Sequence, residues 1–338
     1  LRIDALDLER MEHRVFFRSS TGPEPTRCHP DRAKESRDDP QAPTHTQCVS
    51  CHAVSDDGRY LAVFSQEAEE APPIFDAPNG FLTVMAMPER RILRQLPHAF
   101  MPQFNPKDSN LLVFGEVDET IGSKDQQMVR RSDLKVLAIE SGQIAAVPGA
   151  SDPNRVENFP YWSPDGELIA FIRTGPGEIW HGAQGQLDIA VVPYNHGAGG
   201  TPVEVPGASQ NGRSNYLPIY SPDSRWLIFT QSGQGFFSQE SADLMIVPAQ
   251  GGEARRLDCS SSHLDSWHRF SPDGRWLAVV TNREDIRRPH IYLSRFDSRM
   301  GACTPAVQMP VASGPGAHTH AFTWTRRFDW IGGFELAP

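Results

Sequence analysis

The sequence predicts an all-β protein, a six-bladed β-propeller with four-stranded blades. Three observations lead there. A short block recurs at intervals of 50 to 58 residues, and apolar segments of strand length follow each copy. The last copy is followed by too few residues to finish a blade, while the N-terminus supplies strands that lack partners. A repeat this long denotes an array of supersecondary units that bury apolar faces against one another.

The block is clearest at Tyr161-Trp162-Ser163-Pro164-Asp165-Gly166-Glu167-Leu168-Ile169-Ala170-Phe171, with relatives at 219–229 and 269–279. Weaker copies run over 53–64 and 103–114, the latter with one inserted residue, and a degenerate copy covers 322–331. The corresponding key positions are Ser55, Asn105, Ser163, Ser221, Ser271 and Thr325.

Each unit reads as four antiparallel strands. A short inner strand ends at Ser-Pro-Asp-Gly, where proline presets φ and glycine tolerates a positive φ, so the chain reverses tightly. The second strand is apolar, as in 168–172, and the third covers 187–193. A glycine-rich turn over 195–200 leads to a fourth strand at 202–205. Segments 243–247 and 290–293 are third strands of later units.

The sixth unit stops after two strands. Residues 2–8 and 14–18 read as its third and fourth, closing the ring and removing exposed edges. The expected organisation is one domain, 1–338, with a long loop at 21–47 and a cysteine motif at 48–52.

The Ser-Pro-Asp-Gly blades resemble those of TolB-like or WD40-like periplasmic propellers over nearly the whole chain. That resemblance implies the fold and an exported protein, and says little about activity. The copy at 103–114 also resembles a blade of oligogalacturonate lyases. It reads as a shared blade variant, because the chain shows no basic cluster suited to pectin.

Composition narrows the partners. Lys plus Arg is 32 against 42 for Asp plus Glu, a net charge of −10, which disfavours nucleic acid. No apolar run approaches the ~20 residues of a membrane helix. Leu1-Arg2-Ile3-Asp4 already reads as strand, so the expectation is a chain that is either processed or given without its first residues, and an export signal is compatible with both.

The chemistry concentrates in Cys48-Val49-Ser50-Cys51-His52, a C-x-x-C-H sequence and the attachment signature of a c-type haem. Two thiols at this spacing can add to the two vinyl groups of one porphyrin, and the adjacent imidazole serves as proximal iron ligand. Cofactor binding is therefore assigned to Cys48, Cys51 and His52. Three other readings stay open. One is a thioredoxin-like redox pair, which would want a βαβ setting. Another is a Cys48–Cys51 disulfide, which leaves His52 unexplained. The third is a structural zinc site made by Cys28, Cys48 and Cys51 with His29 or His52.

Aligning Ser55 with Ser163 places His52 where other blades have Pro102, Pro160, Pro218 and His268, at the expected start of an inner strand. The haem is thus expected at one mouth of the central channel. Candidate distal ligands on that face are His29, His268, His320, His98 and Met101, with His29 and His268 ranked first. His45, His181, His263, His290 and His318 map to the same face, and His13 and His196 to the other. His318-Thr319-His320 could share a strand face, but no pair has compelling metal spacing. The loop 21–47, with Cys28-His29-Pro30, is expected to cover the haem and exclude water.

Cys259 reads as the end of a fourth strand and Cys303 as the start of one, so a bond between them is not expected; Cys28 with Cys259 is the easier pair. Trp162, Trp226, Trp276 and Trp324 read as packing between blades.

Two functions follow from the haem assignment. The first is electron transfer to redox partner proteins, including other cytochromes in a larger assembly, in the periplasm or outside the cell. The second is a redox enzyme with an open iron; a c-type haem on a propeller-containing subunit is distantly similar to hydrazine synthase. A third function, a protein-docking propeller with a structural metal or haem, fits the zinc reading as well.

Overall fold

The computed structural model describes residues 2–7, 12–18, 46–68, 80–121, 128–175, 186–235, 242–284 and 290–309. Within them the chain forms five antiparallel blades in sequence order, the second and third joined by one parallel bridge between Ser132 and Val156, and one separate hairpin. The hairpin pairs β1 (Arg2–Asp7) with β2 (Glu12–Arg18). Blade 1 contains β3 (Thr46–Val54), β4 (Tyr60–Ala68), β5 (Gly80–Ala86) and β6 (Arg91–Pro97). Blade 2 contains β7 (Ala99–Phe104), β8 (Leu111–Ile121), β9 (Met128–Ala138) and β10 (Gln143–Ala146). Blade 3 follows with β11 (Val156–Trp162), β12 (Leu168–Thr174), β13 (Asp188–Pro193) and β14 (Val203–Glu204).

Blade 4 is β15 (Ser214–Tyr220), β16 (Trp226–Ser232), β17 (Asp243–Pro248) and β18 (Arg255–Arg256). Blade 5 is β19 (Asp265–Phe270), β20 (Trp276–Thr281) and β21 (His290–Asp297), with its fourth strand split into β22 (Ala302–Cys303) and β23 (Val307–Gln308). The sixth repeat at 322–331 and its closure by the N-terminal strands lie outside the described residues, as does Trp324. Successive inner strands β3, β7, β11, β15 and β19 pack side by side.

The repeated tetrapeptide owes its force to one hydroxyl. Ser163 Oγ donates to Asp165 Oδ1 at 2.5 Å and accepts the Leu168 N–H at 2.9 Å, tying both ends of the turn together. Ser55, Ser221 and Ser271 repeat the arrangement with Asp57, Asp223 and Asp273. Asn105 replaces serine in blade 2; its Oδ1 accepts the Lys107 and Asp108 N–H groups. Its Nδ2 donates to the Gly166 carbonyl of blade 3 at 3.0 Å, so the substitution adds a link between blades to the local clasp.

Second and third strands supply the core. Ile169, Ala170, Phe171 and Ile172 are fully buried, as are Leu227, Ile228 and Phe229. Such strands are buried on both faces because blades 3 and 4 each have a neighbour on either side. Trp162 is one of these covers: its Nε1 donates to the Gln103 carbonyl of blade 2, and its ring meets Tyr194 edge-on. Trp226 likewise donates to the Ser298 carbonyl of blade 5. Trp276 departs from the expected packing and is 41% exposed.

Two expectations about the cysteines are corrected. Cys259 and Cys303 are joined by a disulfide, with Cα atoms 5.7 Å apart. The expectation placed the two cysteines at opposite ends of the fourth strands of neighbouring blades. Instead β18 is two residues long, and the chain leaves it through a turn in which the Ser260 N–H meets the Leu257 carbonyl. That turn faces blade 5, whose fourth strand is itself broken after Cys303. The favoured Cys28–Cys259 pairing is thereby excluded, and Cys28 lies outside the described residues.

Candidate functional site

The cysteine motif lies inside a strand rather than ahead of one. β3 pairs with β4 from Thr46↔Ala68 to Val54↔Leu61, and the register shifts between Ser50 and His52, leaving Cys51 as an extra residue. This corrects the expectation that His52 begins the inner strand, since β3 starts six residues earlier.

A shift occurs at the same place in every described blade: Phe100/Gln103, Asn158/Tyr161, Tyr216/Ile219 and Ser266/Arg269. The residue four before each key position adopts a left-handed backbone, with φ of 53° at Met101, 54° at Phe159, 53° at Leu217 and 48° at Trp267. Bulky residues avoid this region, so a bulge recurring at one repeat position marks a built feature. Cys51 is its fifth member by position, four residues before Ser55.

The next residue in blades 2, 3 and 4 is Pro102, Pro160 or Pro218, which has no N–H to give the ladder. The bulge is where that omission is tolerated. His52 and His268 take the same position in blades 1 and 5, so neither is required to support the sheet through a proline-like constraint.

The bulged residues meet in one apolar cluster. Met101, Phe159 and Leu217 are buried in it and Trp267 packs against it; blade 1 contributes Ala53, Tyr60, Ala62 and Phe64. Phe100 sits edge-on to both Phe64 and Phe159, with ring centroids 5.6 and 6.1 Å away. The strand carrying the motif therefore borders an aromatic, water-poor region.

His52 lies near the end of β3. Burial first, and the Arg269 charge second, lower its pKa to about 4, so the imidazole is neutral with a lone pair available at physiological pH. The described part of the motif thus presents a neutral imidazole on a strand that borders the apolar cluster. The side chains of Cys48 and Cys51 lie outside the described residues.

The expected distal ligands fare differently. His268 is fully buried in β19, and neither ring nitrogen has a hydrogen-bond partner of sound geometry; Ile228 is the neighbouring backbone that acts on it. Burial is the main cause lowering its pKa to about 3. It lies inside the strand, after Asp265, Ser266 and Trp267, which corrects the expectation that it begins the inner strand. Met101 is buried in the apolar cluster, and His98 is exposed in the turn before β7 with φ of 58°. His29 and His320 lie outside the described residues, as does the loop 21–47. Among the described residues, no group of three or more His, Cys, Asp or Glu is arranged to hold a metal ion. No described helix is long and apolar enough to cross a membrane.

Comparison with solved structures decides the fold. A putative TolB from Agrobacterium tumefaciens aligns over 91% of this chain and 88% of its own, with a TM-score of 0.56 and 16% identity. The fold is that of a TolB-like β-propeller. TolB from Acinetobacter baumannii aligns over 79% of this chain and 56% of its own at TM-score 0.50 and 15% identity. An oligogalacturonate lyase in complex with manganese covers 78% of this chain and 68% of its own at TM-score 0.50 and 16% identity. At such identities the TolB-like likeness is one of fold alone.

No protein-family model matches the sequence. An uncharacterized peptidase, YuxL of Bacillus subtilis, is 28% identical over 160 residues. That match spans 39% of this chain and 23% of the relative, less than a quarter of its length.

Proposed function

We propose that this TolB-like propeller is a c-type cytochrome, with one haem c joined to Cys48 and Cys51 and held at the iron by His52. The observation that carries the reading is the C-x-x-C-H sequence itself, ending in a neutral imidazole beside an apolar cluster. When bound, the haem supplies a one-electron iron couple whose potential follows from ligation, burial and nearby charge. Its partners are other redox proteins, cytochromes among them. The ring has six blades, the last completed by β1 and β2.

His268 is the best-supported second axial ligand of the candidates. It is fully buried, and burial keeps its imidazole neutral, with the Ile228 backbone of blade 4 as its polar neighbour. The Cys259–Cys303 disulfide supports maturation in an oxidising compartment, where c-type haems are also attached. The periplasm or the exterior of the cell is the proposed location.

The test is the visible spectrum, oxidised and reduced, of the chain purified from a host that matures c-type cytochromes. Haem bands that survive acid–acetone extraction and disappear in a Cys48→Ala, Cys51→Ala variant are expected. A colourless protein carrying zinc would overturn the assignment. Carbon monoxide binding to the reduced protein would replace the six-coordinate electron carrier by an open-iron enzyme.

A further inference from the structure

The second strands of the five blades begin with Tyr60, Leu111, Leu168, Trp226 and Trp276. The next blade in the array covers three of them. Tyr60 stacks on Phe104 of blade 2, and Leu111 packs against a cluster that includes Trp162 and Phe171 of blade 3. Trp226 has the fullest cover: its indole N–H donates to the Ser298 carbonyl at 2.7 Å, and a Cβ on Gly301 would stand 2.7 Å from its ring. Ser298 and Gly301 begin and end the four-residue turn between the third and fourth strands of blade 5. Trp276 repeats Trp226 one blade later, and of the five residues it is the exposed one, at 41%. A large apolar ring left open at the end of a covered series marks a seat for another element.

The β1–β2 hairpin has the register of such an element. Asp7 pairs with Glu12 across four residues, Leu8-Glu9-Arg10-Met11. Third and fourth strands close in the same way in blades 1, 2 and 5, through Ala86↔Arg91, Ala138↔Gln143 and Asp297↔Ala302. First and second strands turn more widely: Val54↔Leu61, Phe104↔Leu112, Trp162↔Ile169, Tyr220↔Leu227 and Phe270↔Leu277 each enclose six or seven residues. The hairpin is therefore a third and fourth strand by register, and it forms a two-stranded sheet of its own. A lone hairpin is marginal in water, so it needs a surface to dock on. The last residue of the four-residue turn is left-handed at Arg90, Gly142 and Gly301, with φ of 55°, 76° and 60°. Arg90 shows that this position accepts a long side chain, so the lack of glycine in 8–11 is no obstacle.

We propose that Trp276 is the seat of the β1–β2 hairpin of the same chain, whose 8–11 turn docks on the indole as the 298–301 turn docks on Trp226. The proposal rests on closure of a sixth blade by β1 and β2 and is independent of the haem. The chemistry of the seat fits this occupant. In blade 4, Arg255 pairs with Ile246 and donates to the Met300 and Gly301 carbonyls of the next turn. In blade 5 that position, paired with Leu293, is Val307. The seat is thus apolar where its counterpart is cationic, and the turn it receives contains Leu8 and Met11. Val203 is exposed at the same position of blade 3 although blade 4 follows, so Trp276 and not Val307 carries the assignment.

The experiment is amide hydrogen exchange, read by mass spectrometry on peptides covering 1–18, in the full chain at two protein concentrations. It compares the wild type with Trp276→Phe and Trp276→Ala. Wild-type hairpin amides should exchange at least about tenfold more slowly than an unstructured peptide. The Ala variant should lose that protection while blades 2–4 keep theirs, and the Phe variant should retain most of it. Protection that survives in the Ala variant overturns the seat and leaves the six-blade closure standing. Fast exchange in the wild type overturns both. Protection that disappears on dilution puts the hairpin on a second copy and overturns the same-chain assignment. Where the Ala variant loosens blades 2–4 as well, Met11→Asp decides: loss of protection confined to 1–18 supports the seat, and unchanged protection overturns it.

Discussion

Asn158 folds its amide over Gly115 so closely that a Cβ on the glycine would stand 2.2 Å from Asn158 Oδ1. The same amide donates to Ser132 Oγ at 2.8 Å, and its Oδ1 accepts the Phe159 N–H at 2.7 Å. One fully buried side chain thus clasps β8 and β9 of blade 2 while steadying the bulge of blade 3.

Gly115→Ala should therefore cost about 1–3 kcal/mol through overpacking, since backbone and amide must separate to admit the methyl group. Urea unfolding would measure it. A midpoint unchanged from wild type would show that the blades slide apart freely at this point.

The serine of each turn makes a second prediction. Ser163→Ala removes the partner of Asp165 and leaves the Leu168 N–H without its acceptor at a buried site. A loss of about 1–2 kcal/mol is expected, and Ser163→Thr should recover part of it. The test is the difference in unfolding free energy between the two variants.

Glu157 gives a pH dependence with a definite sign. Its carboxylate is fully buried beside Arg173, 3.0 Å away, and accepts the Asp152 N–H at 2.9 Å. Burial, reinforced by Asp133 and Asp152, outweighs these partners and raises its pKa to about 7. A raised folded-state pKa adds stability below the unfolded value, and that stability is lost as pH climbs through the folded value. Stability should decline between about pH 4.5 and 7 by on the order of 2–3 kcal/mol. Glu157→Gln should flatten the decline, which unfolding curves across that range would show.

The disulfide closes a loop between residues 44 apart in sequence. Replacing both cysteines by serine should cost about 2–4 kcal/mol. Both are buried, so alkylation of the native protein should modify neither. Labelling of Cys259 or Cys303 without prior unfolding and reduction would contradict the bond.

These sites differ in how openly the sequence displays them. Ser-Pro-Asp-Gly is legible because the turn's chemistry is local: hydroxyl, carboxylate and glycine sit within four residues, and their spacing defines the strands on either side. The bulge has a signal that is easy to pass over. Proline at 102, 160 and 218 inside otherwise strand-like segments announces a gap in the ladder, and the residue before it is the bulge. Read that way, His52 and His268 stand at a break in pairing rather than at a strand's beginning.

The disulfide was hidden for a different reason. Whether Cys259 meets Cys303 depends on how far β18 extends and where β22 ends, and two-residue outer strands leave almost no periodic trace. The contact of the Arg269 guanidinium with the Tyr161 ring was hidden too, because it joins blades 3 and 5, which are far apart in sequence.

The most direct measurement is the mass of the peptide spanning residues 46–54, released from protein matured where cytochromes c are made. This peptide is expected to carry one haem after denaturation and extraction, through bonds to both Cys48 and Cys51. The bare mass of that peptide, with both thiols free, would contradict it.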